Sequence, residues 1–275
     1  MYAIKSVEKD PLLGFRYFHL AWRSEVLVNA IYFIRLRKLV AEAQQTGSTK
    51  RFVCNTIGPM NLAEIAMLSA ACFVLREDEI GHWLFSELVC VLAKPERVVE
   101  RDAIIGGSVG AYLLRLYGLW RPSAEIDRLL ANVKPEAYGP YAAIFAHWND
   151  CSELNEHVHR LADLHAYKSV NYTYPDEDGI YCLAGWNSEF PAELLFLNHV
   201  REQLGLSCVP CEHPMMAQNP FAKIPVEDFL SGYDEYFALT LEKLREEGFD
   251  INELFWENRF QALGPTDTRR ASILL

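Results

Sequence analysis

The sequence has almost no strand signal. Nowhere in its 275 residues do apolar and polar side chains alternate repeatedly, the pattern of a half-buried β-strand. Long apolar runs are missing as well. The longest, Ile65–Leu75, is eleven residues broken only by Ser69, against the roughly 20 that span a bilayer. Positive charge is scarce: 26 Lys and Arg stand against 37 Asp and Glu, a formal −11. A general nucleic-acid binder would want a basic face, so that class is set aside. No apolar core follows a basic start in MYAIKSVEKDPLLGF, and the seven cysteines are an odd number. The expectation is a reduced, cytoplasmic protein with no membrane span. There is also no Walker sequence, no HExxH pair and no GxGxxG after a strand.

What the chain does have is helical pattern and enough apolar material for a core, 51% hydrophobic residues against 23% charged. A first long helix is expected from about Leu12 to Gln45, closed by Gly47-Ser48-Thr49. Pro59 suits the first position of a second helix, whose residues 60–75 are apolar on every side except Asn61, Glu64 and Ser69. A helix of that kind belongs at the centre of a bundle. Glu77, Asp78 and Glu79 then favour the positive end of a helix running to about Ala93. Pro95 opens another to Tyr117, in which Gly106, Gly107 and Gly110 favour close helix contacts.

Further helices are expected at about 122–132, 136–148 and 151–166. Residues 167–190 read as a long irregular loop, a feature that is often functional. Pro191 starts a helix that Gly205 ends, residues 206–225 read as extended, and a last helix covers about 226–247. The fold expected is all-α: one multi-helix array of nine to ten helices. It divides into an N-terminal lobe (1–149) and an acidic C-terminal lobe (150–275) within one continuous domain.

The charge is unevenly placed. Residues 1–51 carry nine basic and four acidic side chains, while 150–275 carry nine basic and 22 acidic, a local −13. In the first helix Arg16, Arg23 and Arg37, with Lys9 ahead of them, recur at multiples of seven and share one face. That face reads as a solvated surface or as a docking stripe for an acidic partner.

Three clusters could carry chemistry. His147, His157, His159 and His165 lie close in sequence, but His157 and His159 are two apart and point to different sides of a helix. Cys208-Val-Pro-Cys211-Glu-His213 resembles half of a zinc site, without the second pair such a site needs. Asp176-Glu177-Asp178-Gly179 resembles half of a calcium loop, but Tyr174 and Gly185 occupy the positions that need carboxylates. The expectation is no metal, no cofactor and no catalytic set. The alternative is a helical metal-dependent hydrolase using His147, His159 and His165, or Cys208, Cys211 and His213. An adaptor using the basic N-terminal face is a third reading.

At residues 181–195, YCLAGWNSEFPAELL, the chain resembles the PoNi-type immunity proteins, which protect bacteria from polymorphic nuclease toxins, several of them delivered by secretion machines. That family carries a Gly-Tyr-Trp signature followed by Glu and small residues leading a helix; Gly185-Trp186, Glu189 and Ala192 match it, with the Tyr missing. The segment NLAEIAMLSAACFVLREDEI and the arginine-bearing helix 12–45 are similar to the family's central and N-terminal parts. The resemblance implies an all-helical, non-enzymatic protein that neutralises a cognate toxin by binding it. An acidic inhibitor can occupy the basic surface with which a nuclease grips phosphates. Asp176, Glu177, Asp178, Trp186, Glu189 and Glu193 are the expected partner-binding residues, joined by Glu227, Asp228, Asp234 and Glu235 on the last helix. Nucleic acid and membranes are not expected partners, and self-association into a homodimer stays open.

Overall fold

A computed structural model describes residues 62–92, 108–131, 133–170 and 190–217, together with positions 25, 26, 28, 29, 239, 242, 245 and 246. The described residues are mostly helical and contain no strand, so this part of the chain is all-α. In order, the helices are α1 (Leu62–Val74), α2 (Asp78–Leu92), α3 (Ser108–Trp120), α4 (Ala124–Leu130), a 3-10 segment (Pro135–Tyr141), α5 (Ala142–Ala146), α6 (Cys151–Val170), α7 (Ala192–Gln203) and α8 (Pro214–Ala217). None of the described helices is long and apolar enough to cross a membrane. The isolated positions are helical too, and they fall within the expected first and last helices.

Helix α1 is the central element, as its all-round apolar surface requires. It packs against α2, α3 and α7. Its one buried hydroxyl, on Ser69, donates back to the Ile65 carbonyl at 2.8 Å, so that hydroxyl is not stranded in the core. Phe73 is the hub of the packing. Its ring meets His82 of α2 edge-on at 4.8 Å, Trp120 of α3 edge-on at 5.0 Å, and Phe196 of α7 face to face at 5.3 Å. Such aromatic pairs add about 0.5–1.5 kcal/mol each beyond area burial. Gly81 lets α2 approach: a Cβ there would come within 2.8 Å of the Phe73 ring. Gly118 does the same for α3 and α4, since a Cβ would sit 2.7 Å from a methyl of Ile126. The expected contact glycines Gly106 and Gly107 lie outside the described residues.

The turn between α1 and α2 closes with a paired cap. Arg76 N–H donates to the Phe73 carbonyl at 3.1 Å and Glu77 N–H to the Cys72 carbonyl at 2.8 Å. This is the Schellman arrangement, which normally places glycine at the left-handed position. Here Arg76 occupies it with φ 65°, a conformation that costs a side-chain-bearing residue about 1–2 kcal/mol. Helix α7 ends the same way with Gly205, φ 71°, where no such cost arises. Ser123 caps α4 by accepting from the Ile126 N–H at 3.2 Å. Asp150 caps α6, its carboxylate accepting from the N–H groups of Ser152 and Glu153.

Three expected boundaries differ. The single helix 136–148 is broken: Gly139 has φ 49° and ψ −130°, and Pro140 follows it. A residue before proline avoids the helical region, and glycine can take the positive φ instead. Helix α6 runs to Val170, so Tyr167–Val170 are helical rather than loop. Residues Pro214–Ala217 form a short helix inside a stretch expected to be extended. Finally, α7 packs on α1 and α3 as well as on α6, so one apolar core extends across position 150.

Candidate functional site

Most of the expected partner-binding residues, namely Asp176, Glu177, Asp178, Trp186, Glu189, Glu227, Asp228, Asp234 and Glu235, lie outside the described residues. Glu193 lies inside them and is a correction. It is fully buried. Helix α7 starts within the core, with Phe190, Pro191 and Ala192 buried, so the first turn carries Glu193 inward. Its Oε1 meets Nδ1 of His165 on α6 at 2.5 Å, and the Tyr112 hydroxyl donates to its backbone carbonyl at 3.3 Å. Burial first, and the Glu193 carboxylate second, push the Tyr112 and Tyr141 hydroxyls well above their ordinary pKa of 10.0. Glu193 therefore belongs to an internal hydrogen-bonded network, not to an outward acidic surface.

An acidic row does face outward on α6. Glu153, Glu156, Arg160, Asp163 and Tyr167 follow one another at helical spacing, and all five are exposed. Arg160 offsets one charge by donating to Glu156 at 3.3 Å. Tyr167, 61% exposed, ends the row with a large aromatic surface. Asp163 also meets Nε2 of His213 at 3.2 Å and Nδ1 of His159 at 3.7 Å, which ties the Cys208–His213 segment to α6.

The N-terminus of α6 holds the second constellation. His147 closes α5, and Glu153 and His157 stand one helical turn apart on α6. One donor atom from each of the three lies within 4.8 Å of the other two. The His147 and His157 rings are 4.8 Å apart between centroids. His147 also lines a cavity of about 440 Å³ together with Arg115, Phe145, Trp148, Asn149 and Asp150. The Arg115 guanidinium lies 4.3 Å over the Phe145 ring in its wall.

The ligand sets of the hydrolase alternative do not assemble. His147 is beside His157, His159 shares Asp163 with His213, and His165 is held by Glu193. Cys208 and Cys211 are free thiols, the first exposed, and burial pushes the Cys211 thiol above its ordinary 9.0. The alternative ligand set of His147, His159 and His165 left out Glu153, whose sequence signal is its spacing of four from His157. The expectation of no catalytic set took GxSxG to be absent, but Gly106-Gly107-Ser108-Val109-Gly110 has that spacing, the one found in a nucleophile elbow. Ser108 is the first residue of α3, but an elbow requires a strand before the helix, and residues 93–107 lie outside the described ones.

A third polar cluster sits where α1, α2, α3 and α7 meet. Nδ1 of His82 is 3.0 Å from the Tyr117 hydroxyl, and Nη2 of Arg121 is 3.5 Å from Nε2. A guanidinium only donates, which leaves Nε2 as acceptor and the ring proton on Nδ1. Burial, then Arg121, then His199, hold His82 down to about 3. His199 is held down to about 4 by burial, Arg76 and Arg121. Both rings are neutral at physiological pH and pack as aromatics, His199 stacking on Phe73 at 5.8 Å.

No family model matches the chain, and the comparisons with curated proteins and with solved structures return no match.

Proposed function

We propose that this protein is an immunity protein that captures a cognate toxin, a nuclease, through charge-complementary binding. It acts in the cytoplasm, where that toxin would meet nucleic acid. The resemblance of residues 181–195 to the PoNi-type proteins motivates the class. The observation that carries it is the outward face of α6, where exposed Glu153, Glu156 and Asp163 end in exposed Tyr167. An acidic row beside an aromatic anchor is the chemistry that meets a basic, phosphate-gripping surface, because complementary charge accelerates capture and an aromatic adds contact area. The same half of the chain carries the formal −13.

The test uses the full chain and the toxin encoded beside its gene. Charge reversal at Glu156 and Asp163 should slow association by about tenfold at low salt and flatten its salt dependence. A parallel variant reversed at Asp176, Glu177 and Asp178 measures the share of the neighbouring segment. Association that is as fast in both variants, with the salt dependence of the unaltered protein, would sink the reading.

A further inference from the structure

We propose that His147, Glu153 and His157 form a zinc site with one coordination position open toward the adjoining cavity. Two imidazoles and one carboxylate make up a three-ligand zinc set that retains water in the fourth position. Glu153 and His157 are four residues apart, so both face the same side of α6. His147 reaches that side from the turn that Asp150 closes, where the Asp150 carboxylate accepts from the Glu153 N–H at 3.2 Å.

The spacing fits the metal. Bonds of about 2.0–2.2 Å place tetrahedral donors roughly 3.4 Å apart. The three donor atoms already lie within 4.8 Å of one another. Glu153 is exposed and His147 and His157 half-buried, so side-chain rotations at this surface can close the remaining gap without moving the core. His147 is shared between this cluster and the wall of the 440 Å³ cavity, which gives the fourth position a sheltered side. The site shares Glu153 with the acidic row of α6, but its test is independent of the immunity reading, since metal binding is measured on the chain alone.

The experiment is titration of tag-free protein with Zn2+ by calorimetry and with Co2+ by visible absorption, at neutral pH. One equivalent should bind, and azide should shift the Co2+ spectrum, because azide needs a vacant or water-filled position. Glu153→Gln, at an exposed position, should weaken Zn2+ by tenfold or more with an unchanged circular dichroism spectrum. The double variant His147→Ala/His157→Ala should do the same. Two control variants, His159→Ala/His213→Ala and Cys208→Ser/Cys211→Ser, should bind as the unaltered protein does. Overturning results are no stoichiometric metal, a loss below tenfold in Glu153→Gln, a spectrum indifferent to azide, or a loss confined to either control.

Discussion

Oε1 of Glu193 lies 2.5 Å from Nδ1 of His165, and both side chains are only 1% exposed. The contact joins α7 to α6 across 28 residues of sequence. It turns a residue expected to face a toxin into a determinant of the core. The other carboxylate oxygen of Glu193 is buried without a hydrogen-bond partner among the described residues. Among the described residues, His165 is therefore the side-chain partner that holds the Glu193 carboxylate.

Removing either partner should be costly. Deleting one member of a buried pair strands the other, at about 3–5 kcal/mol. Glu193→Ala and His165→Ala should each lose stability on that scale in urea unfolding. Glu193→Gln, which keeps the shape and a hydrogen-bond donor or acceptor, should lose less. Toxin association measured on folded Glu193→Gln should be unchanged, because the side chain is not at the surface.

Arg201 provides a second test. Its side chain is buried, and it donates to the Trp148 carbonyl at 2.7 Å and to the Ser207 carbonyl at 2.8 Å while its guanidinium lies 5.1 Å over the Trp148 ring. One fork therefore fastens α7 to the turn before α6 and to the segment that follows α7. A lysine ammonium cannot reproduce that planar pair of donors. Arg201→Lys should cost about 3 kcal/mol, the worth of one to two charge-assisted bonds to buried carbonyls. Chemical denaturation of the two proteins side by side checks the figure.

The pH dependence follows from His82 and His199. Their native values, about 3 and about 4, lie below the ordinary 6.5 that applies once the chain unfolds. Below pH 6.5 the unfolded chain takes up protons that the folded one refuses, so stability falls with falling pH. The contribution is complete above about pH 6.5 and is lost progressively down to about pH 4 for His199 and pH 3 for His82. Between pH 6.5 and 5, before most carboxylates titrate, His199→Gln should show a shallower slope of stability against pH than the unaltered protein. Equal slopes would mean that His199 is not held neutral by the fold.

How much of this was legible in the sequence varies by element. The centre of the array was legible because α1 is apolar all round, and only burial on every side accommodates that. The end of α7 was legible because Gly205 can adopt positive φ without penalty. The break at Gly139-Pro140 was legible in principle, since both residues disfavour a continuous helix, but helical spacing of Tyr138, Tyr141 and Ile144 on either side concealed it. The extension of α6 to Val170 was not, because Tyr167 and Lys168 neither favour nor forbid another turn.

The sites divide in the same way. Local spacing determined that Glu153 and His157 share a face, that His157 and His159 do not, and that the chain's negative charge gathers after residue 149. Tertiary packing decided the rest. Whether a glutamate is an interface charge or an internal hydrogen-bond acceptor depends on what fills the space around it. Glu193 and Glu156 carry the same side chain on helices of similar pattern. Only the docking of α7 against α3 and α6 encloses the first and leaves the second in water, because burial is set by neighbours distant in sequence.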